Sequence, residues 1–197
     1  MNKQKTLEAL NILMTATCTC TLKDTATQAV PGEGNPDADI MFIGEAPGKK
    51  EDELGVPFVG AAGKFLAEML ATINLKREDI YITNVVKYRP PNNRDPLPSE
   101  VLACEDWLHR QIKIIKPKII VTLGRHAMEH FVPGKKISEV HGQTFTQTIS
   151  DLGTQTFFVL YHPAAALYNG GLRATLIEDF KKIPQLVKRL KTENKKI

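Results

Sequence analysis

Four short, mostly apolar segments constrain this chain more than any other feature: ADIMFIG at 38–44, with Ile40–Ile43 unbroken, YITNVV at 81–86, KIIVTLG at 118–124 and TFFVLYHP at 156–163. None alternates apolar with polar. A strand that is apolar on both sides must be buried on both faces, as happens in a parallel sheet covered by helices. The segments between the runs have helical spacing. In AAGKFLAEMLATINL (61–75), Phe65, Leu66, Met69, Leu70 and Ile73 fall on one side. Ser99–Lys116 reads as a second helix, with Pro98 and Glu100 suited to its first turn. RHAMEHFV (125–132) is a short helix, and a last one covers Leu172–Leu190 with Pro184 as a candidate break. Leu7, Leu10, Leu13 and Met14 mark an N-terminal helix. The alternation predicts an α/β fold: one domain over 1–197, in three α/β/α layers around a mostly parallel four-stranded sheet. Residues 17–36 are expected to wrap the domain as a loop, and 191–197 to form a polar tail.

The chain has 197 residues, 42% of them hydrophobic, which is enough for one real core. Its net charge of +4 is too modest to dictate a partner. Three cysteines imply no disulfide framework and fit a reducing compartment. Lys3 and Lys5 precede an apolar stretch as in an export signal, but Glu8, Asn11 and Thr15 interrupt it. No run approaches the ~18 apolar residues of a membrane span. A cytoplasmic protein with no membrane contact is expected.

Sheets of this kind bind ligands beyond the carboxyl ends of their strands. Three candidate loops lie there: Gly44–Gly48, Asn84–Arg89 and His162–Ala165. GEAPGKK is one residue short of a phosphate loop and has Lys50 where the magnesium-holding hydroxyl belongs. No G-x-S-x-G follows a strand. His126 and His130 are four apart, but H-A-M-E-H is not the H-E-x-x-H of a zinc hydrolase; an exposed helix face is the expectation there.

Taken together, GEAPG, ED, GVPFVGAAG, YITNVVK, RPPNNRDP and HPAA resemble the uracil-DNA glycosylase superfamily, and most of all its family four, the iron–sulfur type. The resemblance spans roughly residues 17–190. It implies an enzyme that flips uracil out of single- or double-stranded DNA and hydrolyses its N-glycosidic bond, in base excision repair, as a monomer. Such a site must hold the extruded base, ease the departing anion and place a water. No metal or other cofactor is needed for that chemistry. The resemblance assigns base stacking to Phe58, base-edge reading to Asn84 and hydrogen bonding to the leaving base to His162. Glu45 is a candidate to assist the water or the sugar cation, since a carboxylate near an incipient oxocarbenium is the usual solution, or else to hold its loop; the better-known branch of the superfamily carries an Asp one position later, where this chain has Ala46. Gly44, Ala46 and Gly48 line the pocket through their backbones. Lys87, Arg89, Arg94 and Arg173 are candidate phosphate contacts. A DNA-binding protein without catalysis, and a glycosylase for hypoxanthine or xanthine, are the alternatives.

The chain departs from the family at its cysteines. Family four holds a [4Fe–4S] cluster with four. Here Cys20 and Cys104 are in register, Cys18 is displaced by one position, and Tyr88 stands where a third ligand is expected. With three ligands, loss of the cluster is expected. Tyr168 replaces a family Arg in the loop that would wedge into DNA.

Overall fold

The computed structural model describes residues 2–193. In chain order the elements are α1 (Lys3–Thr17), β1 (Glu33–Gly34), β2 (Ile40–Gly44), α2 (Lys49–Leu54), α3 (Ala61–Thr72), β3 (Tyr81–Asn84), α4 (Pro98–Ile115), β4 (Ile119–Leu123), α5 (Arg125–Phe131), α6 (Ile137–Val140), β5 (Thr144–Ile149), β6 (Gly153–Leu160), α7 (Pro163–Leu167), α8 (Gly170–Phe180) and α9 (Ile183–Glu193). The strands form one sheet in the order β1-β3-β2-β4-β6-β5. Its inner four are parallel, and they are the four apolar runs of the sequence.

The sheet has six strands rather than four. β1 and β5 add antiparallel edges to β3 and β6. β1 is only two residues long, inside the wrapping segment, and β5 (TFTQTI) is half exposed, so neither carries an apolar run. The last helix is two, α8 and α9, divided at Lys181–Lys182 rather than at Pro184. Pro184 occupies the second position of α9, where its missing N–H is harmless. Of the expected tail, residues 191–193 complete α9 and 194–197 lie outside the described residues.

Successive side chains along β2 divide between two cores. Met41 and Ile43 pack with Leu7 and Met14 of α1, Leu108 and Ile112 of α4, and Met128 of α5. Ile40 and Phe42 pack with Leu66 and Met69 of α3 and with Leu176 and Phe180 of α8. Among the described residues no helix is long and apolar enough to cross a membrane.

Candidate active site

β2, β3 and β6 deliver their C-terminal ends to one side of the sheet. A cavity of about 370 Å³ opens there, walled by Glu45, Ala46 and Gly48 after β2, by Phe58, by Asn84 at the end of β3 and by His162 two residues after β6. The three loops chosen from the sequence therefore meet.

Phe58 reaches the cavity through an unusual backbone. Its φ of +53° is left-handed, a conformation that bulky residues avoid. Two charged side chains hold it. Arg77 donates to the carbonyls of Pro57 at 2.7 Å and Phe58 at 2.9 Å. Glu51 accepts from the N–H groups of Val59 at 3.0 Å and Gly60 at 2.9 Å. Gly63 is required behind the ring, because a Cβ there would collide with the Phe58 carbonyl. Sequence reasoning missed both clamping residues. Glu51 belongs to the quoted ED pair, but nothing local reveals that it binds a loop eight residues on.

Asn84 is buried, and its Oδ1 has no hydrogen-bond partner. Such an atom is expensive to leave unpaired, by about 1–3 kcal/mol. Gly44, opposite it on β2, does not line the cavity itself. Its absent side chain makes room: a Cβ would lie 2.5 Å from Asn84 Oδ1 and 2.7 Å from the Phe58 ring.

His162 caps α7, accepting at Nδ1 from the Ala164 N–H at 3.1 Å. A neutral ring in that pose carries its proton on Nε2. Burial pushes its pKa down to about 4, against the opposing pull of Glu51, so the ring is neutral at pH 7. Its centroid lies 5.6 Å from that of Phe58. Glu45 is half-buried, and burial raises its carboxyl above the ordinary range despite His126, whose Nε2 is 3.8 Å away. The same nitrogen lies 3.1 Å from Asp95. The cavity thus offers an aromatic face, a buried acceptor, a neutral N–H donor and a carboxylate.

The four basic residues fare differently. Lys87 does not face solvent and cannot meet a phosphate. It is fully buried, its Nζ donating to Thr83 Oγ1 and the Asn84 carbonyl at 2.7 Å and to Gln111 Oε1 at 2.8 Å. Burial pushes its pKa down to about 7. Arg94 lines the cavity but forms a two-pronged pair with the buried Glu100, at 2.8 and 2.6 Å. Arg89 donates to Asn93. Arg173 pairs with Glu68 at 2.6 Å and lies 4.0 Å over the Phe65 ring. Tyr168, at the end of α7, is 92% exposed.

Cys18, Cys20 and Cys104 are buried and free, drawn together where α1 and the wrapping segment meet α4. Cys18 Sγ lies 3.8 Å from the Ala103 carbonyl and Cys20 Sγ 3.7 Å from that of Glu100. The fourth neighbour is the Tyr88 phenol, whose hydroxyl is buried without a partner. Burial, with the thiols nearby, pushes its pKa up to about 12. A [4Fe–4S] cluster is held by four thiolates. Three thiols and a phenol that resists ionisation do not fit that donor set.

Comparison with known proteins agrees with this geometry. The family model described as the uracil DNA glycosylase superfamily matches residues 31–187. A type-4 uracil-DNA glycosylase of Sulfurisphaera tokodaii is 53% identical over 85% of this chain and 78% of its own length. One from Archaeoglobus fulgidus is 51% identical over 85% and 86%, and one from Thermotoga maritima 46% identical over 87% and 90%. The chain belongs to the uracil DNA glycosylase superfamily, and these relatives within it are type-4 members.

Proposed function

We propose that this chain is a DNA repair hydrolase that releases free uracil from DNA and leaves an abasic site. The observation that carries the reading is the unpartnered Oδ1 of Asn84, buried in a cavity shared with Phe58 and His162. A flipped uracil satisfies it. Its N3–H donates to Oδ1, while the Asn84 amide donates to O4. Cytosine presents the opposite pattern and leaves both groups unpaired. Phe58 supplies a stacking face worth about 1–3 kcal/mol, with no choice of base.

As the glycosidic bond breaks, electrons move to the base and the sugar becomes oxocarbenium-like. The His162 Nε2–H donates to uracil O2 as charge gathers there, a contribution of about 3–4 kcal/mol for a well-aimed donor. The depressed pKa supports this role, because a neutral imidazole is a donor that surrenders no proton. Glu45, ionised, steadies the cation or the attacking water from the other side, while Ala46 and Gly48 line the wall and Gly44 leaves room for Asn84 and Phe58. Arg89, Arg94 and Arg173 remain candidates for phosphate contact, and Tyr168 for insertion beside the flipped base. No step needs a metal. The chain acts as a monomer in the cytoplasm, and without an iron–sulfur cluster, since the thiols and Tyr88 pack into the apolar core beside Trp107.

The test is a labelled oligonucleotide bearing one uracil, as single strand and as duplex, incubated with the protein and then cleaved at abasic sites with alkali. Breaks at uracil support the reading. Binding without breaks means a non-catalytic DNA-binding protein. Breaks at inosine or xanthosine but not at uracil mean a different base specificity. Either of the last two outcomes overturns it.

A further inference from the structure

We propose that Glu105, His109 and His130 form a binding site for one divalent transition-metal ion of the zinc class, at the edge of a second cavity that Glu105 and His130 line and that adjoins the base pocket at Glu45. From the sequence, His126 and His130 read as one exposed helix face. The structure separates them. His126 turns toward Glu45 and Asp95, and His130 turns toward α4.

Glu105 and His109 stand one helical turn apart on α4 and share a face. His130 comes from the last turn of α5. One ligating atom from each residue lies within 4.8 Å of the other two. The His130 side chain is only 10% exposed, and its Nε2 lies 3.9 Å from Glu105 Oε1, beyond hydrogen-bond length. The two imidazoles are 6.4 Å apart at 50°, so they do not stack.

A second residue prepares the site. Asp151, in the turn between β5 and β6, holds His109 Nδ1 at 3.0 and 3.1 Å with its two oxygens. Lys113 steadies the same carboxylate at 2.9 Å. With the proton fixed on Nδ1, the lone pair of His109 is on Nε2. A carboxylate orienting a histidine from behind is the usual outer shell of a bound metal.

The cavity, about 340 Å³, has Glu45, Glu105 and Glu129 on its wall and neither lysine nor arginine among its lining residues. It therefore attracts a cation and gives it an entry path. The positive charges felt at His130 are those of His109 and Lys87, set against Glu105. Two imidazoles and one carboxylate suit zinc rather than magnesium or calcium. Metal–ligand lengths of about 2.0–2.2 Å bring donor atoms to roughly 3.3 Å from one another. The half-exposed Glu105 supplies that closure by rotation, and water completes the fourth position. The bound ion would join α4 to α5, the helix that also carries His126 beside Glu45.

The experiment titrates Co²⁺, then Zn²⁺, into the full chain and into His130→Gln and Glu105→Gln. Cobalt reports its ligands, because thiolates give an intense near-ultraviolet band that imidazole and carboxylate do not. The expected result is one Co²⁺ per chain with visible tetrahedral bands and no thiolate band. Each variant should bind about tenfold or more weakly, with unchanged circular dichroism. Zn²⁺ should raise the melting temperature of the parent more than that of either variant. A thiolate-dominated spectrum that both variants leave intact would place the ion at Cys18, Cys20 and Cys104 and overturn the proposal. So would an absence of saturable binding below millimolar metal.

Discussion

Gly44 and Asn84 face each other across β2 and β3, and the amide oxygen of Asn84 fills the space where a Gly44 side chain would begin. The pocket's principal acceptor is thus positioned by a missing methyl group. Gly44→Ala must push Asn84 and Phe58 away together. We expect uracil excision to fall by about 100-fold or more, comparable to losing one well-aimed polar group, while the circular dichroism spectrum stays that of the parent. Full activity in that variant would show that Asn84 does not read the base.

Asn84→Ala and His162→Ala should each lower single-turnover excision by about 100-fold or more. Neither contributes apolar burial that the fold depends on, so both proteins should purify folded, in the same assembly state as the parent. Parental rates in both would remove the assignment of chemistry to this cavity.

The clamp on Phe58 gives a different signature. Arg77→Ala removes two donors from the 57–58 carbonyls, and Glu51→Ala removes the acceptor of two N–H groups. A charged hydrogen bond contributes about 1.5–3 kcal/mol. Each variant should lose stability on that scale in urea titrations. Excision should slow because the left-handed turn at Phe58 relaxes. A variant as stable and as active as the parent would mean that the loop holds itself.

Protonation should act in two places. Burial holds His162 near pKa 4, well below the ordinary 6.5. Between those values the unfolded chain binds the extra proton and the folded chain does not, so this residue makes stability fall as pH drops from about 6.5 toward 4. A His162→Asn protein should show a shallower decline in urea midpoint over that window. Glu45 has a raised pKa, so catalysis that needs it ionised should fail at higher pH than an ordinary carboxylate would dictate. Glu45→Gln should be slower and should lack that acid limb in its kcat/KM profile.

Lys87 separates internal support from DNA contact. Lys87→Met should cost about 1–3 kcal/mol of stability, because three buried acceptors lose their donor. The dependence of DNA affinity on salt should keep its slope, since no phosphate contact is lost. A slope reduced by about one would show that the ammonium reaches the backbone after all.

The inner sheet was legible because strands buried on both faces leave short, mostly apolar segments without alternation, as in IMFIG, IIVTL and TFFVL, with YITN the most polar of the four. The edges were not. TFTQTI has one half-exposed flank, and Glu33–Gly34 pairs through only two residues. The meeting of Glu45, Phe58, Asn84 and His162 was expected from loops at the carboxyl ends of parallel strands together with family motifs. Lys87 was misplaced because a lysine in a polar loop looks solvated, and only the fold places Thr83, Gln111 and the Asn84 carbonyl around it. Glu51 and Arg77 escaped notice for a related reason. Their partners in the Phe58 turn are backbone atoms, which leave no mark on the sequence.

One carbonyl, that of Pro31, receives the Thr83 hydroxyl at 2.6 Å and the Gln111 amide at 2.9 Å. Those are two of the three groups that cradle Lys87. The N-terminal strap is therefore wired into the strand bearing Asn84, and proteolytic nicking near Pro31 would reach the pocket without touching any residue that lines it.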